Sequence, residues 1–468
     1  MPGIHGILQT ASRTMWASQT GVEVSSHNIA NINTPGYSRQ QAQFDPSMAI
    51  NVRGLMIGTG VDVTNIRSVQ DRFLSYQIFA GQSTFSQADT RAQGMSQIEE
   101  IFNEAAGYGL TQAFSEFFSA LHDLGNMPDG ESERITLVGA AENLTTQFHQ
   151  ADERLRQMQK SADQSIGISV GQVNSLLNDI ASLNKKIAEI ESGGQSASDL
   201  RSQRTTIMQE LAGFVDFSSY ETDNGMVNIT LAGGYSLVEG AKAGSLTTER
   251  NDDGFLDVFF ESSTGRRSNV TDKIEGGSIG GDLQTRDVDC QDFIDKLDEL
   301  AYTFLNEFNN VHNQGTNLNG NTGVDFFWHD VTGGTVIEGS ARTIRLSAAI
   351  QADTDNIAAS LTGEPGDNQN ALALAQLESA KIFNGGTWTI LEYNNSIIAN
   401  AGSRAQSATR AADQANTALG QVEGMRESLV GVSYEDEMAS LMEFQSTYQA
   451  AARVFNVVQD MLDTLYSI

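Results

Sequence analysis

"NIANINTPGYSRQ", Asn28 to Gln40, decides how the rest of the chain is read. Everything before it follows helical spacing, and Thr34-Pro35-Gly36 forbids the helix to continue. Proline disfavours the helical region at the residue before it, and Pro-Gly at the two central positions builds a type II turn with positive φ at the glycine. The spacing therefore predicts a helix that stops firmly, a turn through Thr34, Pro35, Gly36 and Tyr37, and an extended departure along "YSRQQAQF". Such a turn sets the direction in which the chain leaves its first helix.

Upstream, Ile4, Leu8, Ala11, Met15, Ser18, Val22, Ser25, Ile29 and Ile32 recur at alternating steps of four and three, which is a coiled-coil seam. At the other end Met438, Leu441, Gln445, Tyr448, Ala452, Phe455, Gln459, Leu462 and Leu465 form a second one. An ordinary amphipathic helix packed on its own domain has the same spacing. Between Met1 and Thr34, however, the full charges are Arg13 and Glu23 alone, so the face opposite the seam is polar but uncharged and tolerates contact on all sides. Both seams are diluted by small or polar residues, and apolar burial at roughly 25 cal/mol per Å² barely offsets an ordering cost of about 1–2 kcal/mol per residue. The pair is expected to be marginal or disordered in the monomer and to order when further copies cover its remaining faces.

Composition narrows the partners. With 28 Lys and Arg against 59 Asp and Glu the net charge is −31, which repels nucleic acid and anionic membrane alike. The start, "MPGIHGILQT", has no basic segment or apolar run and does not read as a Sec signal peptide, and one cysteine, Cys290, excludes an internal disulfide framework. Near-absence of cysteine suits a chain exported unfolded.

"ASQTGVEVSSHNIANINTPGYSRQQAQF" (17–44) resembles the N-terminal signature of the axial proteins of the bacterial flagellum, the rod, hook and hook-associated family, with His27 where that family usually carries Asn. "SYEDEMASLMEFQSTYQAAARVFNVVQDMLDTLYSI" (433–468) resembles the matching C-terminal signature. The resemblance places Asn28, Asn31, Thr34, Pro35, Gly36 and Tyr37 in the family's turn motif. "LRSQRTTIMQELAGFVDFSSYETDNGMVNITLAGGYSLVEG", "GGSIGGDLQTRDVD", "LNEFNNVHNQGTNLNGNTGVDFF" and "GDNQNALALAQL" resemble hook-associated members more than hook or rod proteins. The resemblance implies a non-enzymatic subunit at the hook-filament junction, exported by the flagellar type III apparatus. The implied partners are copies of itself in a ring or tube, hook protein, hook-associated protein 3 and an export chaperone at the C-terminal helix. A hook or distal rod protein is the alternative within the family; a secreted effector or adhesin is the alternative outside it.

The interior supports a mainly α fold with a β-rich insert, its terminal helices paired as a coiled coil and its domains discontinuous. Val173, Leu176, Ile180, Leu183, Ile187 and Ile190 form a further stripe closed by Gly193-Gly194, and Ser196 to Asp199 fits a capping box before Leu200, Ile207 and Leu211. "MVNITL" and "FLDVFF" read as strands, after which helical spacing returns at Phe293, Leu297, Leu300, Phe304 and Phe308, and again from Ala371 to about Gly431. The expected division is 1–70 with 425–468 for assembly, 71–213 with 283–322 and 366–424 as a helical bundle, 214–282 as the β-rich segment, and 323–365 as a short outer insert.

Catalytic and metal motifs fare badly. His5, His27, His122, His149, His312 and His329 are scattered, no HExxH or Cys/His ligand spacing occurs, and the glycine pairs match neither phosphate-binding pattern. Asn317, Asn319, Asn321 and Asp325 alternate like calcium ligands but lack the closing glutamate of an EF-hand. No catalytic residue, cofactor or metal is expected. Asp287, Asp289, Asp292, Asp295 and Asp298 read as a solvated helix face, and Cys290 as a small core residue.

Overall fold

The computed structural model describes residues 2–34, 36–52, 55–69, 71–103, 109–262, 265–330 and 337–466. Helix α1 (Pro2–Ala30) leads through the turn into strands β1 (Gln40–Pro46), β2 (Ile50–Val52), β3 (Leu55–Ile57) and β4 (Val61–Ser68). Helices α2 (Arg72–Phe102), α3 (Leu110–Asn126), α4 (Glu131–Ser192) and α5 (Ser198–Ala212) come next. Strands β5 (Ser218–Glu221), β6 (Val227–Leu231), β7 (Tyr235–Glu239) and β8 (Lys242–Ala243) form one antiparallel sheet in that order. Strands β9 (Ser245–Arg250), β10 (Leu256–Glu261) and β11 (Arg267–Asn269) form another, with β10 central. The chain returns to helix in α6 (Gly277–Gln284) and α7 (Cys290–His312). A two-stranded pair, β12 (Phe327–Trp328) and β13 (Arg345–Leu346), brackets α8 (Ser340–Thr343). Helices α9 (Ala348–Ala352), α10 (Gln369–Ala375), α11 (Ile390–Val430) and α12 (Tyr434–Tyr466) complete the chain.

Two large apolar cores lie side by side, and α4, 62 residues and about 90 Å long at 1.5 Å per residue, runs through both. In the first core, α3 turns Phe114 and Phe117 toward Phe304 and Phe308 of α7, with ring centroids 5.2–5.7 Å apart between the two helices, and Phe118 is buried against Phe114 and Phe117. In the second, Ile166 to Ile180 of α4 and Met208 and Leu211 of α5 pack on Ile229, Leu237, Leu246 and Val258 of the sheets. The cores therefore divide inside α4, between Met158 and Ile166, and not at residue 213 where helical periodicity gives way to strands. Segment 323–365 also departs from the expected outer insert. Phe326, Phe327, Ile344, Leu346, Ile350 and Ile357 are buried and close the first core; residues 331–336 lie outside the described residues.

Between the cores the packing is ionic. The helix widens to a π-turn over Thr285–Asp289, turning Asp289 to Arg91 of α2 at 2.9 Å and Arg404 of α11 at 3.8 Å. Arg286, 1% exposed, meets Asp163 of α4 at 2.8 Å and donates to the Leu256 carbonyl at 2.9 Å.

Two local expectations are corrected. The box at Ser196 does not form. α5 begins at Ser198 without a side-chain cap, because Ser196 and Ser198 hydroxyls bond each other at 3.0 Å and Asp199 is taken by Gln40 at 2.6 Å. The helical spacing after Ala371 is interrupted at 376–389, where Phe383 and Trp388 form a bridge, and α11 starts behind a true capping box of Thr389 and Glu392.

His312 is buried as a neutral ring. Its Nδ1–H donates to the Val324 carbonyl at 2.7 Å, Nε2 accepts from Ala358 N–H at 2.9 Å, and burial pulls the pKa down to about 4. An unfolded histidine titrates near 6.5, so the unfolded chain binds the extra proton as pH falls. The contribution of this site is complete above about pH 6.5 and is lost between there and about pH 4. Calorimetry of wild type and His312→Gln from pH 7.5 to 4.5 is expected to show wild-type stability falling by an additional amount on the order of 2–3 kcal/mol across that window.

Candidate assembly interface

The turn forms as its residues require. Tyr37 N–H donates to the Thr34 carbonyl at 3.2 Å and Gly36 has φ +76°; Pro35 lies outside the described residues. Asn31 Nδ2 caps the His27 carbonyl at 2.9 Å, and the Thr34 hydroxyl donates to Asn31 Oδ1 at 3.2 Å. Asn28, 1% exposed, clips the outgoing strand to the helix. Its Nδ2 donates to the Gln40 carbonyl, and its Oδ1 accepts from Gln40 N–H, both at 2.9 Å, and from the Tyr37 hydroxyl at 2.8 Å. The Tyr37 pKa is raised, first by burial and then by the charges of Asp199 and Glu437.

The turn seats on α5, and a cleft of about 570 Å³ lined by His27, Asn31, Tyr37, Ser202 and Glu210 lies beside it. A Cβ at Gly36 would stand 2.2 Å from the Thr206 hydroxyl, so glycine serves both φ and close approach. His27 reaches Asp199 of α5 at 3.5 Å. Asn28→Ala leaves the buried Gln40 groups unpartnered at a cost of about 2 kcal/mol. Amide exchange at Gln40 is expected to accelerate roughly thirtyfold.

Helix α12 runs back along α1: Glu437 in its first turn meets Arg39 at the turn's exit at 2.6 Å, and Phe444 lies over Gly21. Of the expected α1 seam, Ala11, Ser18 and Ser25 are buried and Ile4, Leu8, Met15, Val22, Ile29 and Ile32 are half-buried. On α12 the series Leu441, Phe455 and Leu462 is half-buried, as are Met438 and Ala452, while Tyr448 and Leu465 are exposed. The second series is displaced by one residue. Gln445 and Gln459 point to solvent, and Glu437, Phe444, Ala451 and Val458 line the contact instead. A Cβ at Gly21 would come within 2.6 Å of the Phe444 ring; that ring needs a glycine opposite it, and Arg39 fixes where the helix starts.

Sequence reasoning foresaw the extended departure that becomes β1 but not the strands that follow it. β1 pairs with β4 against α1, with a bulge at Gln43/Phe44, and carries the short hairpin β2–β3. Its Leu55 and Met56 are about 70% exposed. Exposed apolar side chains also run along a second face of α12, at Met442, Val454, Val457, Met461 and Leu465, and on α1 at Ile7 and Trp16. Among the described residues no helix is long and apolar enough to cross a membrane, and no His/Cys/Asp/Glu group is arranged to hold a metal. Cys290 is buried, which pushes its thiol up to about 12.

Both ends and the middle match known flagellar families. The Flagella basal body rod protein family matches residues 8–37, the Flagellar basal body rod FlgEFG protein C-terminal family 428–468, and the Flagellar hook-associated protein FlgK helical domain 95–327. Flagellar hook-associated protein 1 of Bacillus subtilis is 30% identical over 97% of this chain and 96% of its own length. The chain belongs to the flagellar hook-associated protein 1 family. The Escherichia coli member is 27% identical over 99% of this chain and its whole length. The flagellar hook junction protein FlgK from Burkholderia pseudomallei, 17% identical, superposes with a TM-score of 0.68 over 76% of this chain and all of its own, a likeness of fold. Members of the hook-associated protein 1 family are structural components of the flagellum, and this chain is one of them.

Proposed function

We propose that the chain is a non-enzymatic subunit seated between hook and filament, polymerised through α1 and α12. The observation that carries this is the second, uncovered apolar face of α12 beside the one packed on α1, at the chain ends where the family's rod-type signatures match. A single helix pair leaves such a face in water; a tube of pairs covers it. Repeating one heterologous contact around an axis closes a ring or winds a helix according to the rotation between neighbours.

The same exposed stripe requires cover before assembly, which suits a helix-in-groove carrier on α12. The acids Glu435, Asp436, Glu443, Asp460 and Asp463 on this helix oppose an anionic bilayer as the alternative. Export through the flagellar type III route, and contacts with hook protein on one side and hook-associated protein 3 on the other, complete the reading. Deletion of the gene followed by electron microscopy tests it: hooks without filaments, with flagellin shed into the medium, are expected. Normal filaments would overturn it.

A further inference from the structure

An Asn-Gly step is a point at which a polypeptide can modify itself, because the glycine nitrogen has no side chain beside it and can attack the asparagine carboxamide carbon. The chain has three: Asn224-Gly225, Asn319-Gly320 and Asn384-Gly385. Attack needs a nitrogen that can give up its proton and a carboxamide free to turn toward it. The first two steps meet neither condition. Gly225 N–H donates to the Thr222 carbonyl at 2.9 Å, and Asn224 Oδ1 accepts from Met226 N–H at 3.3 Å. Gly320 N–H donates to the Asn317 carbonyl at 3.0 Å, and Asn319 Nδ2 donates to Asp353 Oδ2 at 3.2 Å.

Asn384-Gly385 meets both. The two residues are exposed, and among the described residues neither the Gly385 N–H nor the Asn384 carboxamide has a hydrogen-bond partner. The loop that carries them is clamped at its base. Phe383 and Trp388 exchange N–H to carbonyl bonds at 3.1 and 3.2 Å, and the Phe383 ring stacks at 4.5 Å on Tyr393, whose hydroxyl donates to Glu299 of α7 at 2.5 Å. Inside the clamp the Thr387 hydroxyl donates to the Asn384 carbonyl at 2.9 Å. That carbonyl belongs to the same peptide unit as the Gly385 nitrogen, so the bond stabilises the negative charge left on the unit when the nitrogen loses its proton.

We propose that Asn384 is a site of spontaneous deamidation, assisted by the Thr387 hydroxyl, in the loop that precedes α11. The Gly385 nitrogen bonds to Asn384 Cγ, the Cγ–Nδ2 bond breaks, and Nδ2 leaves as ammonia with the proton that the glycine nitrogen has lost. Water then opens the resulting succinimide at either carbonyl, giving aspartate or isoaspartate. Both products put a negative charge in the loop. Isoaspartate also adds a methylene to the main chain between Phe383 and Trp388, which loosens their bridge beside the Thr389 and Glu392 capping box that opens α11. The site belongs to the first core, does not depend on the state of the chain ends, and goes beyond the placement between hook and filament.

Peptide-resolved mass spectrometry of the full-length protein, followed through incubation at mildly alkaline pH, tests this. The peptide holding Asn384 is expected to gain one mass unit and to become a substrate for an isoaspartyl methyltransferase used as the probe. Peptides holding Asn224 and Asn319 are expected to change more slowly by roughly tenfold or more, because their glycine amides must first be released by local opening. The mass change separates the reaction from isomerisation at Asp129-Gly130 and Asp253-Gly254, which leaves mass unaltered. In urea the three rates are expected to converge, since each asparagine is followed by the same residue. Thr387→Val keeps the side chain's size and removes its donor; it is expected to slow the reaction at Asn384 severalfold in the folded protein and not in urea. Asn224 or Asn319 reacting as fast as Asn384 in the folded protein would overturn the site, and an unchanged rate in Thr387→Val would overturn the part given to the hydroxyl. Either result leaves the placement in the flagellum untouched.

Discussion

Replacing Gly277 with alanine is expected to remove most of the stability of the second core. Gly277 opens α6 at φ +68°, and a Cβ there would lie 2.2 Å from the Phe214 carbonyl carbon and 2.4 Å from Val215 N. Those are backbone atoms, and no side chain can swing aside to relieve the overlap. The neighbouring amides stitch α6 to the same segment, Ser278 N–H to the Gly213 carbonyl at 2.9 Å and Ile279 N–H to that of Phe214 at 3.2 Å. The strand-to-helix junction must open, and the loss is expected to reach about 4 kcal/mol or more. Gly254, φ +85° with nothing near its virtual Cβ, provides the comparison: alanine there carries the conformational term alone, about 1 kcal/mol. Calorimetry of both variants checks the difference; equal shifts would show that Gly277 is not held as described.

Asp289→Asn is the second large effect. The substitution keeps the shape, deletes the charge shared by Arg91 and Arg404, and leaves one accepting oxygen where there were two, so that of the Arg91 bonds at 2.9 and 3.1 Å one is lost and an amide N–H faces a guanidinium N–H in its place. Removing one partner of a buried pair costs about 3–5 kcal/mol when the survivor stays buried. Here both guanidinium groups are about one-third exposed and partly rehydrate, so a loss of about 2–3 kcal/mol is expected. Because the pair joins α2 and α11 to the π-turn, urea unfolding followed separately in the two cores is expected to lose coincidence in this variant. Unchanged, coincident transitions would contradict the ionic joint.

These two sites show where the chain was opaque as well as where it was legible. Phe293, Leu297, Leu300, Phe304 and Phe308 repeat at helical spacing, and that periodicity alone placed α7 and its buried face. The aspartates before and among them, Asp287 to Asp298, read as a solvated face, yet Asp289 and Asp298 are buried. Asp289 is neutralised by arginines from α2 and α11, and Asp298 accepts at 2.8 Å from the Gly339 and Ala341 amides that open α8. Both sets of partners are distant in sequence, so no local pattern announces them. The turn was legible because Pro-Gly acts locally; the register of α12 was not, because Phe444 is placed by a glycine on another helix. Segment 323–365 misled for a related reason: its apolar residues are scattered among glycines and short elements, and only the first core shows what they close.

The central claim is that α1 and α12 hold one another weakly and are completed by sister copies. Hydrogen exchange of the dilute, full-length monomer, compared with the assembled polymer, measures it most directly. The account predicts that α1 and α12 in the monomer exchange at least a hundredfold faster than α7 and the middle of α4, and that polymerisation removes most of that gap. Monomer protection of α1 and α12 equal to that of α7 would contradict it.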